Sequence, residues 1–270
     1  MLSSIHLNGT LLDIIEFSGG EVQIVVPEEE HLINFNKDNN ITAHIKCNSG
    51  FIALAQLKSI LDYNVKSPII LTMPYVPYGR YDRRMKELDS QSLKIFSEML
   101  NALKFDAVII SDPHSYVTEN TIDNCSINTQ VDLLSRIGVS TFFEESFTGI
   151  VAPDLGSINK VEEVSKFLDL PLIRCLKTRD KITGKLLSFE VLDQVQPNSV
   201  LLIADDICDG GGTFVGIAKA LKEAGASSVS LYTTHGIYSK GVDPLLTELT
   251  SISSYYSWID DPRINFKIKY

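Results

Sequence analysis

The chain has little of what marks several protein classes. Cysteine occurs four times, as Cys47, Cys125, Cys175 and Cys208. The four lie far apart, each in or beside an apolar stretch, and no pair has metal-ligand spacing. A disulfide scaffold and a cysteine zinc site are not expected; reduced, mostly buried thiols in a cytoplasmic protein are. No apolar run approaches the ~20 residues that span a bilayer, so no membrane partner is expected. The first residues, MLSSIHLNGT, carry neither a basic stretch nor a long apolar core and do not read as a signal peptide. Basic residues are in deficit, 24 Lys and Arg against 34 Asp and Glu, for a net charge of −10. A nucleic-acid partner, which needs a surface of clustered cations, is not expected. No internal repeat and no low-complexity linker are visible.

What is present is an ordinary globular composition. Of the 270 residues, 44% are hydrophobic and 21% charged, enough for two small α/β domains. Strands are expected at 21–26, 41–46, 68–73, 107–111, 149–152, 172–176, 200–204 and 229–233, and helices at 51–63, 90–103, 157–168 and 212–224. Near-continuous apolar strands separated by helices imply parallel sheets covered on both faces. The best boundary falls at Ser140–Phe147, giving domains 1–143 and 144–270. The closing INFKIKY reads as a final strand that returns to the first domain.

The most informative stretch is Val200–Thr213, VLLIADDICDGGGT. An apolar strand runs into the acids Asp205, Asp206 and Asp209. Gly210, Gly211 and Gly212 follow, and Thr213 opens an amphipathic helix. Glycines feeding a helix N-terminus present backbone N–H groups and a positive dipole end, which suits a phosphate. Paired carboxylates suit two sugar hydroxyls or a Mg²⁺ ion. The two halves together suit a phosphorylated ribose. Two other segments stand out: PYVPYGRYDRR at 74–84 and SDPHS at 111–115. The local cations cluster at Arg80–Lys86 and Lys177–Lys185.

The ribose-type loop resembles that of the families that bind phosphoribosyl pyrophosphate (PRPP). The pair of segments at 74–84 and 111–115, together with FSGGE at 17–21, VAPDLGS at 151–157, KTR at 177–179 and YTTHGIYSKG at 232–241, resembles the ribose-phosphate diphosphokinases (PRPP synthetases), in their order and close to their spacing. The resemblance implies an α/β fold of two similar phosphoribosyltransferase-like domains, each a mainly parallel sheet flanked by helices. It implies a phosphotransferase that moves the β,γ-diphosphoryl group of ATP to the C1 hydroxyl of ribose 5-phosphate, giving PRPP and AMP, with Mg²⁺ as cofactor. Partners would be ATP, ribose 5-phosphate and further copies of the chain, as a dimer or hexamer.

Carried over residue by residue, the resemblance makes Lys177 and Arg179 the catalytic cations on a closing loop. Phe17, Glu21, Arg80, Asp82, Arg83 and His114 become ATP residues, with Asp82 orienting the arginines. Asp205, Asp206, Asp209, Gly210, Gly211, Gly212 and Thr213 bind ribose 5-phosphate. His114, Asp154, Asp205 and Asp206 are the metal candidates. Asp112 is expected to orient His114, His235 lies near the ribose site, and His6, His31 and His44 are structural. Departures exist. Gly210 stands where a threonine is usual, Gly19 where an aspartate is usual, and Ser157 where a second glycine is usual. The segment after Arg84 lacks the usual proline, and both ends look short, which leads to the expectation of weak, competitive ADP inhibition. Two alternatives stay open. A PRPP-consuming type I phosphoribosyltransferase leaves Arg80, Arg83 and His114 without a role. A catalytically silent regulatory subunit would have lost Lys177, Arg179, Asp205 and Asp206.

Overall fold

The computed structural model describes residues 3–28, 32–138, 146–179 and 186–269. The chain divides into two compact units, Met1–Asn128 and Thr129–Tyr270. In the first, β1 (Ser4–Leu7), β2 (Thr10–Leu11), β5 (Asn39–His44), β6 (Ile69–Thr72), β7 (Ala107–Ser111) and β8 (Cys125–Asn128) form one sheet in the order β2-β1-β5-β6-β7-β8. β5 to β8 run parallel, and β1 and β2 are antiparallel. β3 (Asp13–Glu16) and β4 (Val22–Val25) make a separate antiparallel hairpin. Helices α1 (Asn48–Asn64), α2 (Ser92–Asn101) and α3 (Tyr116–Thr121) complete the unit. Crossover helices are what parallel strands require, because a tight hairpin cannot join them. The core runs from Ile5 through Leu54, Leu57 and Leu71 to Ile110, all fully buried.

In the second unit α4 (Gln130–Ile137), α5 (Ile158–Leu168) and α6 (Gly212–Glu223) accompany a seven-stranded sheet. Its strands are β9 (Gly149–Ala152), β10 (Leu172–Arg179), β11 (Leu186–Val191), β12 (Val200–Cys208), β13 (Ser228–Gly236), β14 (Ile252–Ser257) and β15 (Ile268–Lys269), ordered β11-β10-β9-β12-β13-β14-β15. All neighbours are parallel except β10 and β11. The apolar run of β12 is covered on both sides. Leu201 and Ile203 pack with Phe214, Ile217 and Leu221 of α6. Leu202 and Ala204 pack with Leu133 of α4 and Val161 and Val164 of α5. The period-2 alternation of the strand thus feeds two hydrophobic layers, while α6 meets its layer through residues three and four apart.

The expected α/β class with mainly parallel sheets is what the chain adopts. Three expectations differ in detail. The units part at Asn128/Thr129, because α4 contributes Leu133 and Leu134 to a second-unit core; most of the expected boundary region, 139–145, lies outside the described residues. The closing strand β15 pairs with β14, so it stays in the second unit and does not return to the first. The acidic pair Asp205–Asp206 is not in a loop: β12 continues through both to Cys208, with Asp205 paired to Thr233 and Cys208 to Gly236 of β13.

Candidate functional site

In the first unit the two diagnostic segments leave adjacent parallel strands, β6 and β7, at their carboxyl ends. They are laced together: Met73 N–H donates to the Ile109 carbonyl at 2.8 Å and Ser111 N–H to the Pro74 carbonyl at 3.0 Å. Asp112 takes a φ of +40° in a buried position, a region where Asp is among the tolerated residues. The chain therefore turns sharply off β7 and carries His114 toward the other segment. A β-carbon on Gly79 would stand 3.9 Å from the His114 Cβ. Asp82 accepts Arg83 Nε and Nη2 at 2.7 and 2.8 Å and the Ser115 hydroxyl at 2.7 Å. The Arg83 hydrogen bonds lower the Asp82 carboxyl to about 2; burial opposes them, and Ser115 and the Arg83 and His114 charges act in the same direction as the bonds. Asp82 is a nearly buried anchor and Arg83 an exposed cation held on it. Arg80 is exposed.

Phe17 and Glu21 form the tip of the β3–β4 hairpin, on a sheet separate from the one that carries the other ATP candidates. Phe17 N–H donates to the Glu21 carbonyl at 2.9 Å and Gly20 N–H to the Phe17 carbonyl at 2.8 Å. Gly20, at φ +87°, supplies the left-handed residue the turn needs. Gly19 is outside that region, and the nearest atom to a β-carbon there is the flexible Glu21 Oε2 at 2.8 Å.

In the second unit the candidates converge on the carboxyl ends of β9, β10 and β12. Such ends are where open α/β sheets bind ligands. Asp154 follows β9. Its Oδ1 accepts the N–H groups of Gly156 and Ser157 at 3.0 and 3.2 Å. Its Oδ2 accepts Lys177 Nζ at 2.8 Å, from β10. Lys177 and Arg179 are therefore strand residues, because β10 extends beyond the apolar run to pair with β11, Lys177 opposite Phe189 and Arg179 opposite Leu186. The Arg179 side chain and the expected closing loop at 180–185 lie outside the described residues, as does His31. Asp205 is half-buried and Asp206 buried. Burial, first, and the neighbouring Asp206 hold the Asp205 carboxyl well above its ordinary value, and Asp154 adds to the effect. Two carboxylates crowded out of water resist full ionisation until a cation or hydroxyl donors arrive.

Asp209 and Gly210 then turn the chain, and Gly211 at φ +76° starts α6. The Gly211 carbonyl accepts the Phe214 and Val215 N–H groups at 3.0 and 3.1 Å. Gly211 is obligatory twice over, since a β-carbon would meet Leu245 Cδ2 at 2.7 Å. Gly212 is exposed and Thr213 half-exposed at the first turn of α6. His235 is buried and stacks on Tyr256, ring centroids 5.7 Å apart; His6 and His44 meet edge to face at 6.4 Å.

Sequence reasoning missed Gln130. Its side-chain amide donates to the Asp205 carbonyl at 2.7 Å and so fixes the end of β12 from α4. The signal was available in TQVD at 129–132, a reciprocal cap in which Thr129 and Asp132 exchange hydrogen bonds. Among the described residues no group of three or more His, Cys, Asp or Glu stands ready to hold a metal. None of the helices described is long and apolar enough to cross a membrane.

No protein-family model matches the chain. It is similar to the ribose-phosphate pyrophosphokinase of Maricaulis maris, 30% identical over 172 residues, which covers 64% of this chain and 55% of that protein. The same enzyme of Agrobacterium fabrum is 31% identical over 173 residues, with the same coverage of 64% and 55%. The chain thus matches about half the length of these curated relatives. The crystal structure of phosphoribosylpyrophosphate synthetase from Mycobacterium smegmatis superposes with a TM-score of 0.77 at 18% identity, covering 96% of this chain and 85% of that one, so the fold is shared nearly throughout.

Proposed function

We propose that the chain is a ribose-phosphate pyrophosphokinase, as its similarity to those enzymes and its shared fold with a phosphoribosylpyrophosphate synthetase support, and that it makes PRPP. The ribose 5-phosphate C1 hydroxyl oxygen attacks the β-phosphorus of ATP, the bond from that phosphorus to the α-phosphate oxygen breaks, and AMP leaves. The observation that carries the proposal is the acidic pair Asp205–Asp206 at the end of β12, directly before the glycine turn into α6, with Lys177 and Asp154 ion-paired at neighbouring strand ends.

The work divides by unit. Asp205 and Asp206 hold the ribose hydroxyls, and the loop from Asp209 to Thr213 takes the 5-phosphate. Lys177, positioned by Asp154, and Arg179 neutralise the phosphoryl group in flight, which is the main demand of this chemistry. In the first unit Arg80, Arg83 and His114 receive the nucleotide and its phosphates, Asp82 keeping Arg83 in place. Phe17 and Glu21 sit on an exposed hairpin tip, where an adenine bound by another copy of the chain would be within reach; self-association is part of the proposal, as is a cytoplasmic setting.

The donor set at β12 fits Mg²⁺. The ion prefers oxygen and takes one or two carboxylates with substrate phosphates and water, and Asp205, raised by burial and by Asp206, is a carboxyl that a bound cation would favour in its ionised form. His114 offers nitrogen, a poor ligand, and Asp154 Oδ2 already holds Lys177. Asp205 and Asp206 would therefore hold the ion, whose chemistry is to neutralise the diphosphate. Calorimetry tests the division. Asp205→Asn with Asp206→Asn is expected to abolish ribose 5-phosphate binding and leave ATP binding intact; equal loss of both ligands would overturn it.

A further inference from the structure

The loop that would receive the 5-phosphate has backbone donors and no cation of its own. Among the described residues the N–H groups of Gly210 and Gly211 enter no backbone hydrogen bond. Asp209 is exposed, and Asp205 and Asp206 stand just before it. A phosphate monoester carries a charge of about −1.5 to −2 at neutral pH. The helix N-terminus offsets only about half a unit. Asp209 pushes the other way, in a chain of net charge −10. A cation on another element, close to Gly210, would add attraction that the loop's own residues do not supply.

Lys240 is placed to supply one. It lies on the turn after β13, and its Cε and Cδ stand 3.6 and 3.7 Å from where a β-carbon on Gly210 would be, with Ser239 Oγ at 3.9 Å. The turn and the loop share one anchor, because Ile237 and Tyr238 N–H both donate to the Cys208 carbonyl at 2.8 and 3.2 Å. Gly241 N–H closes the turn on the Tyr238 carbonyl at 2.8 Å, and Gly241 takes φ +70°. Lys240 is exposed, and among the described residues its ammonium enters no ion pair or hydrogen bond.

We propose that Lys240, laid across Gly210, is a ribose 5-phosphate-binding residue that supplies the positive charge for the 5-phosphate. Position 210 and Lys240 are close neighbours, a β-carbon at 210 standing at ordinary contact distance from the lysine stem, and the ammonium does what a hydroxyl side chain at 210 would do more weakly. A charge-assisted hydrogen bond is worth about twice a neutral one. The inference rests on the assignment of the 209–213 loop to ribose 5-phosphate.

Lys240→Met keeps the apolar stem and removes the charge; Lys240→Arg restores it. Steady-state kinetics with ATP and ribose 5-phosphate, with calorimetry of ribose 5-phosphate binding, read the effect. Lys240→Met is expected to raise KM and Kd for ribose 5-phosphate by roughly ten- to a hundredfold, leaving KM for ATP and kcat at saturation within about twofold. Lys240→Arg is expected to recover most of the loss. A wild-type enzyme that turns over ribose 5-phosphate, with Lys240→Met showing the same KM or Lys240→Arg failing to recover it, overturns the role of Lys240 and leaves the loop assignment standing. A wild-type protein that does not bind ribose 5-phosphate overturns the loop assignment, and the role of Lys240 with it.

Discussion

Asp205 shows how a binding residue works against the fold that carries it. Its carboxyl is raised by burial and by Asp206, so the folded state holds a proton that the unfolded chain has released. Stability contributed by this group is therefore highest at acid pH and declines as pH rises from the ordinary aspartate value, 3.8, through the raised one. Asp205→Asn removes that penalty. The unliganded variant is expected to melt a few degrees higher than wild type at pH 7.5, with the difference vanishing toward pH 4; a lower melting point at pH 7.5 would contradict the burial argument. Lys177 behaves differently, since its ion pair with Asp154 places it without demanding a deeply buried charge. Lys177→Ala and Arg179→Ala are each expected to cut kcat on the order of 10²–10³-fold while KM changes little. Turnover near wild type in both would remove them from catalysis. Residue types and spacing announced these side chains in the sequence. Their setting was hidden, because Lys177, Thr178 and Arg179 read as the start of a polar loop, and only the antiparallel pairing with β11 makes them strand.

At the scale of elements, the turn from β12 into α6 depends on Gly211. A β-carbon there would be strained by φ +76° and would press on Leu245. Gly211→Ala is expected to destabilise the unliganded protein by about 2 kcal/mol. Gly212→Ala, one residue on, has open space and an ordinary backbone and should stay within about 0.5 kcal/mol of wild type. Urea denaturation of both variants checks this; equal effects would mean that the turn tolerates side chains generally. Elements with a clean apolar period were legible. β7 and β9 fall on the residues expected for them, and α6 ends one residue short of its expected span. Others were masked by composition. β14 reads ISSYYS, with three of its serines buried, Ser254 meeting the Tyr238 hydroxyl and Thr233. A polar string of that kind gives no strand signal until its partners are known. β12 ran on through two acids because β13 pairs with it to Cys208, a tertiary gain that outweighs the low strand propensity of Asp.

At the scale of the whole molecule, the sequence motifs spread over both units, and the fold match covers nearly the full chain. The number of units was legible because strand–helix alternation restarts at β9; their join was not, because α4 is short and polar at its start and its allegiance lies in Leu133 and Leu134. The central claim concerns chemistry, and one assay addresses it. The purified chain is incubated with ATP, Mg²⁺ and ribose 5-phosphate, and AMP and PRPP are quantified together. The expected result is AMP and PRPP in equal amounts, dependent on all three additions. ADP in place of AMP, PRPP consumed when a nitrogenous base is supplied, or no product with intact folding would contradict it.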